Sequence, residues 1–437
     1  MTRLRWSFCL AAALYSLAAR HAAAQPATAP NAPATDNAAA GPPADPNAPT
    51  PLSAEPTQPP PPAPEPPPPP PPPPPKGFVS LKLESPTATA KIGVLAQPAF
   101  ESVGSASLNG ASNNFFIRRV RVLLGGTLFD NFEYFFDVDA PNLFKGNAPD
   151  GSKTQPGLIV QDIFFTYKAV ADALKVDVGY MLTPGAHNAL QGAGTLYSWD
   201  YFASSFIHGV PFGHGTGRDA GLQLRGHVLD GMLEYRLGLF NGFRKPNNAD
   251  ATAVPPVAAT RVHAENFFRL AGRVQLNLLD PEVPGFFYAG TYLGAKKVLS
   301  FGGAFDIQGA YKHWALDGIV DLPLGPGGLT AQLNVGGWSG GNLIAGIPTQ
   351  WAVMGEAGYR IDAVQLSPIV RFEQRYYSSE ATPDETRFGI GAAYWPRGHN
   401  VNLKAFYTHV SPGGPAATAL NQHSYSQVNV QAQLYFY

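Results

Sequence analysis

Two neighbouring segments carry closely spaced charges that could pair with one another or attract ions. The first contains Arg119 and Arg121, and the second contains Glu133, Asp137 and Asp139. Guanidinium and carboxylate groups on adjacent strands pair across a sheet, whereas unpaired arginines in a water-filled channel concentrate anions. These residue types therefore predict either a structural wall of ion pairs or a path for anions, and the sequence leaves both open.

Apolar residues alternate with these charges, so both segments are predicted to be β-strands. Val122 and Leu124 fall on the face opposite the arginines, and Phe132 falls opposite the acids. A tight turn at Asp130-Asn131 is expected to join the two strands. A large apolar and aromatic face, backed by a face with both signs of charge, is typical of a membrane barrel with lipid outside and water inside.

Beyond the N-terminal region, the sequence divides into about sixteen short alternating segments. Short connections, such as 396–398, alternate with long ones, such as 183–217. We therefore predict an all-β fold, a transmembrane antiparallel β-barrel over residues 77–437. Two connections break the alternation, because 280–295 is long where a short turn is expected and 309–310 is short where a long loop is expected.

The N-terminal region contains two predicted segments that precede the barrel. Residues 1–24 have the features of a secretory signal peptide, since Arg3 and Arg5 precede an apolar run and small residues follow it. Cys9, the single cysteine, lies within this segment. Residues 25–76 are rich in Ala and Pro and offer little apolar surface to bury, so we expect them to be disordered and to lie in the periplasm.

Composition and motifs argue against several other classes of function. The formal net charge is −1, with no basic cluster, so binding of nucleic acid is not expected. We find no motif for a cofactor or a metal ion. Gly337 to Gly341 fits the pattern G-x-S-x-G, but it ends a predicted strand and enters a glycine-rich loop, without the helix that nucleophile chemistry needs. We therefore expect no catalytic residue and no enzymatic activity.

The order and spacing of several segments resemble the phosphate-selective porin O and P family. These segments are 118–139, 160–169 with 174–184, 217–242, 287–294 and the C-terminal sequence QAQLYFY. The resemblance implies a sixteen-stranded outer-membrane barrel, commonly a homotrimer, that passes small anions and folds its third external loop inward. That loop would be Thr183 to Gly217. The aromatic C-terminal strand resembles the signal read by the barrel assembly machinery.

The main functional hypothesis is a porin in the outer membrane of a Gram-negative bacterium, in contact with membrane lipid. It would pass small hydrophilic solutes, with a mild preference for phosphate-like anions. The inward loop contains no lysine, so strong phosphate selectivity is not expected. The anion path would be a ladder of six arginines on nearby strands: Arg119, Arg121, Arg225, Arg236, Arg269 and Arg273. The alternative is a non-conducting barrel with a role in surface attachment or structure.

Overall fold

The computed structural model describes residues 81–104, 113–146, 152–153, 157–207, 217–244, 267–282 and 285–437. The predicted signal peptide, residues 1–24, and the Pro-rich segment, residues 25–76, lie outside the described residues. Among the residues that the structure describes, no helix is long and apolar enough to cross a membrane.

The described chain forms one antiparallel sheet of seventeen strands. The first nine are β1 (Leu81–Ser85), β2 (Ala88–Val103), β3 (Asn113–Leu128), β4 (Phe132–Asp139), β5 (Ile159–Val170), β6 (Leu174–Leu182), β7 (Arg218–Val228), β8 (Leu233–Phe240) and β9 (Arg269–Asn277). The remaining eight are β10 (Val298–Gln308), β11 (Tyr311–Leu324), β12 (Gly327–Ser339), β13 (Gln350–Ile361), β14 (Leu366–Tyr377), β15 (Asp384–Tyr394), β16 (Val401–Gly413) and β17 (Tyr425–Phe436). A short helix, α1 (Gly414–Ala419), follows β16.

Strands β2 to β17 close into a barrel of sixteen strands, which confirms the predicted fold class. Closure occurs where β17 pairs with the C-terminal part of β2, from Val94 to Val103. The extra strand, β1, pairs with the N-terminal part of β2, from Ala88 to Ile92, beyond the end of β17. The sequence analysis did not identify β1, which is only five residues long and begins soon after the Pro-rich segment.

Side chains alternate between the outer face and the lumen as the sequence pattern predicts. On β3, the outward Val122 is 46% exposed, whereas the inward Arg121 is 8% exposed. The predicted turn between β3 and β4 is present, and Phe129 and Asp130 adopt positive φ angles of 51° and 60° there. An outer apolar face around a polar interior is the arrangement that a lipid bilayer requires of a barrel.

Candidate functional site

The loop between β6 and β7 fills much of the barrel interior. Its described part, residues 183–207, contains two short 3-10 helices, His187–Leu190 and Ala193–Thr195. The loop reaches the far wall, where the backbone N–H of Asn188 donates to Asn334 Oδ1 on β12 at 3.0 Å. Leu190 is fully buried. This loop is the one that the family resemblance identifies as inward-folded.

A second segment enters the lumen from the opposite end of the barrel. It is the long connection between β9 and β10, whose described inner part is 285–297. Tyr288 forms a parallel bridge with Gln191 of the inward loop, and its N–H donates to Leu190 O at 3.0 Å. The sequence analysis identified this connection as irregular in length, but it did not predict that the connection would meet the loop. We call 183–207 the external inward loop and 285–297 the periplasmic inward segment.

An ion pair and ring stacking reinforce the junction between the two inward elements. His187 Nε2 lies 2.9 Å from Glu282 Oε2, and both side chains are buried. The His187 ring also stacks on Tyr288 with centroids 4.6 Å apart. The other histidines of residues 183–217, His208 and His214, lie outside the described residues.

Among the predicted pore-lining residues, Arg121 has the partners that the sequence suggested. Its Nε lies 3.0 Å from Asp139 Oδ2, and its Nη1 lies 3.2 Å from Asp137 Oδ2. The register aligns Arg121 directly with Asp139. The charge of this arginine is therefore neutralised by the adjacent strand.

Arg119 and Glu133 do not join that network, which corrects the sequence-based pairing. Arg119 instead contacts Asp200 of the external inward loop at 2.5 Å, because the loop brings this carboxylate to the wall. Glu133 lies near the turn and contacts Lys168 of β5 at 3.4 Å. The five residues predicted to pair within the β3–β4 hairpin thus belong to three separate ion-pair groups.

The remaining arginines of the predicted ladder also contact carboxylates. Arg225 Nε lies 2.8 Å from Asp177 Oδ2, and Arg236 Nε lies 2.8 Å from Glu234 Oε1. Both guanidinium groups also donate to backbone carbonyls of the periplasmic inward segment. Each guanidinium group therefore contacts both a carboxylate of the barrel wall and a carbonyl of the periplasmic inward segment.

Arg269 and Arg273 form the most enclosed pairs. Arg269 makes a bidentate contact with Asp306, in which Nε donates to Oδ1 at 2.7 Å. Arg273 contacts both oxygens of Asp317, at 2.6 Å and 2.8 Å, and donates to Gly185 O of the external inward loop at 3.0 Å. Each of the six arginines therefore has a carboxylate partner, so the ladder is not a row of unpaired cations.

Two titratable groups outside the strands have pKa values that are strongly shifted by their surroundings. Burial raises the pKa of Asp200, but the charges of Arg118 and Arg119 outweigh burial and hold that pKa well below its usual range. His399, in the turn between β15 and β16, is buried, and burial lowers its pKa to about 4, with Lys404 adding to the shift. Asp200 is thus held charged and His399 neutral at pH 7.

A cavity of about 520 Å³ remains between the two inward elements and the wall. Its lining combines aromatic side chains with the charged groups of Arg121, Asp137, Arg218 and Lys296. The lining includes Tyr201, Phe287, Lys296, His399, Tyr435 and Tyr437. Among the described residues, no cluster of His, Cys, Asp and Glu could hold a metal ion.

The structure resembles known outer-membrane proteins at low sequence identity. The outer membrane channel DcaP of Acinetobacter baumannii matches with a TM-score of 0.50 and 12% identity, covering 81% of this chain and 99% of that chain. A loop L8 deletion mutant of OmpT, an outer membrane protein of Vibrio cholerae, matches with a TM-score of 0.47 and 10% identity, covering 80% and 100%. OpdK of Pseudomonas aeruginosa, crystallised with vanillate, matches with a TM-score of 0.42 and 11% identity, covering 79% and 98%.

The similarity to DcaP supports an outer-membrane barrel fold but does not single out the phosphate-selective porin O and P family. No family model and no curated protein matches the sequence. At 12% identity, the similarity to DcaP establishes the fold alone.

The prediction that the chain is not an enzyme is wrong, because it excluded a class of function that the fold leaves open. A barrel fold shared with DcaP at 12% identity does not decide between a channel and an enzyme, so enzymatic status is open. The G-x-S-x-G motif, Gly337 to Gly341, lies at the end of β12, where Ser339 Oγ and Thr349 Oγ1 are 3.0 Å apart.

Proposed function

We propose that this chain is an outer-membrane channel through which small hydrophilic solutes diffuse passively. The observation that carries the proposal is a closed barrel with an apolar outer face and a polar lumen. Val122 and Phe165 represent the outer face, and Arg121 and Asp162 represent the inner one. A polar lumen inside an apolar outer face is the arrangement that a water-filled path for solutes requires.

The proposal also concerns the selectivity of the channel for anions over cations, which we expect to be weak. The six arginines of the ladder could favour anions, as the family resemblance implies. However, each is paired with a carboxylate, as Arg273 is with Asp317 at 2.6 Å. Paired charges largely cancel at the distance of a passing ion, so a mild anion preference is the most that this wall supports.

The filled lumen favours a second candidate function, a barrel that is closed at rest. The external inward loop and the periplasmic inward segment meet in the interior, where Gly192 N–H donates to Tyr288 O at 2.9 Å. A barrel sealed in this way would serve attachment or structure rather than transport. A channel requires a continuous water-filled path past the inward elements, either permanently or after they move. A closed barrel has no such path.

Conductance in a planar lipid bilayer distinguishes them. The folded protein in asymmetric KCl should give stepwise ion currents, with a reversal potential near zero or slightly toward the chloride potential. The same preparation, unfolded by heat before addition, is the control. The absence of current from folded protein would reject the channel and favour the closed barrel, and a clear cation preference would reject the arginine ladder.

Four further features belong to this proposal. They are cleavage of residues 1–24, a periplasmic position for 25–76, recognition of the C-terminal strand by the barrel assembly machinery, and assembly as a homotrimer. Gel filtration of detergent-solubilised protein with light scattering would test the trimer, and N-terminal sequencing of the mature chain would test the cleavage site.

A further inference from the structure

The lumen wall formed by β16 and β17 carries amide side chains instead of the acids and arginines found elsewhere. On β17, the inward positions are Asn429, Gln431 and Gln433, and on β16, Asn402 is aligned with Gln433. All four are between 1% and 3% exposed. We call these four residues the amide row. From Asn429 to Gln433 it extends about 13 Å along the strand.

Several polar atoms of the amide row have no hydrogen-bond partner among the described residues. They are Gln431 Oε1 and Nε2, Asn429 Oδ1 and Asn402 Oδ1. For Gln431, both ends of the amide are unpartnered, so the observation does not depend on how the amide is oriented. Buried polar groups without partners are costly and are normally satisfied. A donor and an acceptor side by side are complementary to a hydroxyl or amide group.

The amide row leads directly from the cavity between the inward elements. Tyr435, the next inward position on β17, and Tyr437, which follows the end of that strand, line the cavity. Gln433 is the member of the row nearest to them, and its Nε2 donates to two cavity-lining residues, to Gly194 O at 2.9 Å and to His399 O at 2.6 Å. A solute that passes from the cavity to Gln431 must exchange the Gln433–Gly194 hydrogen bond for one of its own.

The charged groups beside the amide row are already engaged by other parts of the chain. Glu101, aligned with Asn429, pairs with Lys145 at 2.7 Å. Lys404, aligned with Gln431, donates to Leu196 O at 2.6 Å and to Ser198 O at 2.9 Å. The four side chains of the row are themselves uncharged, so they offer a solute hydrogen bonds, with an aromatic approach at the cavity end.

We propose that the amide row is the route for small uncharged polar solutes, such as monosaccharides, with Gln431 as its central contact. This inference rests on the proposed channel function and names its solute class. Hydroxyl groups of a sugar would bond to the amides in turn, and the tyrosines at the cavity end would pack against its ring.

Uptake by proteoliposomes containing the full folded protein tests the proposal. Radiolabelled glucose and gluconate are suitable probes, because they are similar in size and differ in charge. Wild-type protein should take up glucose faster than gluconate. Gln431→Leu, which keeps the size but removes both unpartnered atoms, should slow glucose uptake about threefold to tenfold, and Gln431→Asn should retain most of it.

The matched control is Gln374→Leu, the same change at an outward position on β14, whose neighbour Phe372 is 40% exposed. Equal glucose uptake by Gln431→Leu and Gln374→Leu would overturn the proposal, as would faster gluconate uptake by wild-type protein. The wild-type comparison decides the matter even if a variant fails to fold. Ion currents with gluconate-favoured uptake would leave the channel function intact, whereas the absence of both currents and uptake would remove the channel itself.

Discussion

Arg119 on β3 and Asp200 in the external inward loop are joined by an ion pair of 2.5 Å across 81 positions of sequence. Arg118 adds a second contact, since its Nε donates to Asp200 Oδ2 at 2.9 Å. The backbone N–H of Tyr201 also donates to Asp200. One loop carboxylate thus satisfies two adjacent arginines of the wall and fixes the loop in the lumen.

Replacement of Asp200 should loosen the external inward loop. Asp200→Asn would leave Arg119 buried without its charged partner, at a cost of about 3 kcal/mol. We expect a lower midpoint of urea unfolding and larger, noisier single-channel currents. Asp230→Asn, in the exposed turn between β7 and β8, is the control. Equal midpoints for the two variants would show that the pair does not anchor the loop.

A disulfide across the two inward elements should hold them together. A Cβ built on Gly192 would lie 3.9 Å from Phe287 Cβ, within the range that a disulfide spans. In Gly192→Cys/Phe287→Cys, we expect oxidation to reduce conductance and a thiol reductant to restore it. Each single cysteine variant is a control. Unchanged conductance after verified cross-linking would mean that the two elements do not separate during conduction.

The backbone packs closely around Gly290, so a substitution that adds one methyl group and no charge should destabilise the protein. A Cβ at Gly290 would lie 2.9 Å from both Leu196 Cα and Tyr197 N, atoms of the main chain that cannot rotate away. Gly290→Ala should therefore push the inward elements apart and destabilise the protein by about 1–3 kcal/mol. Gly346→Ala, with nothing within 4 Å of its Cβ position, should unfold like wild type. Thermal unfolding followed by circular dichroism compares the two.

Stability should fall as the pH decreases from 6.5 to about 4, because of His399. The folded protein holds this pKa at about 4, against 6.5 for a solvent-exposed histidine, so the unfolded chain takes up the proton first. The contribution is complete above pH 6.5 and is lost progressively below it, by about 3 kcal/mol at pH 4. Burial is the main cause, and Lys404 acts in the same direction, while the hydrogen bond to Thr291 O opposes both.

Urea unfolding of wild type and His399→Gln at pH 7.5 and pH 4 measures this contribution. The variant should lose less stability than wild type over that interval. His423→Gln, at an exposed position, should behave as wild type. The same loss in all three proteins would assign the pH dependence to other groups.

Release of one arginine from its partner should shift ion selectivity. Asp306→Asn removes the bidentate partner of Arg269, whose contact with Asp219 is longer, at 3.4 Å. The reversal potential in asymmetric KCl should move toward the chloride potential, because the wall gains a net positive charge. The double variant Asp306→Asn/Arg269→Gln should restore the wild-type value, and Asp130→Asn is the surface control. No shift in Asp306→Asn would place this pair away from the ion path.

The sequence by itself determined the strands, their antiparallel order and the face on which each side chain lies. Alternation is a local property of the pleated backbone, so Val122 and Arg121 could be assigned to opposite faces without knowledge of any partner. The same locality made the contact between Arg121 and Asp139 predictable, because a tight turn fixes the register of a hairpin.

Only the tertiary structure decided what fills the lumen. The contact of Arg119 with Asp200 and the bridge between Gln191 and Tyr288 join segments whose loops carry no periodic signal. Such contacts form because the closed barrel places distant loops next to one another. The spacing of residues in the sequence gives no information on that placement. For the same reason, the pairing of all six arginines and the unpartnered polar atoms of the amide row became visible only when the inward elements and the closed wall were seen together.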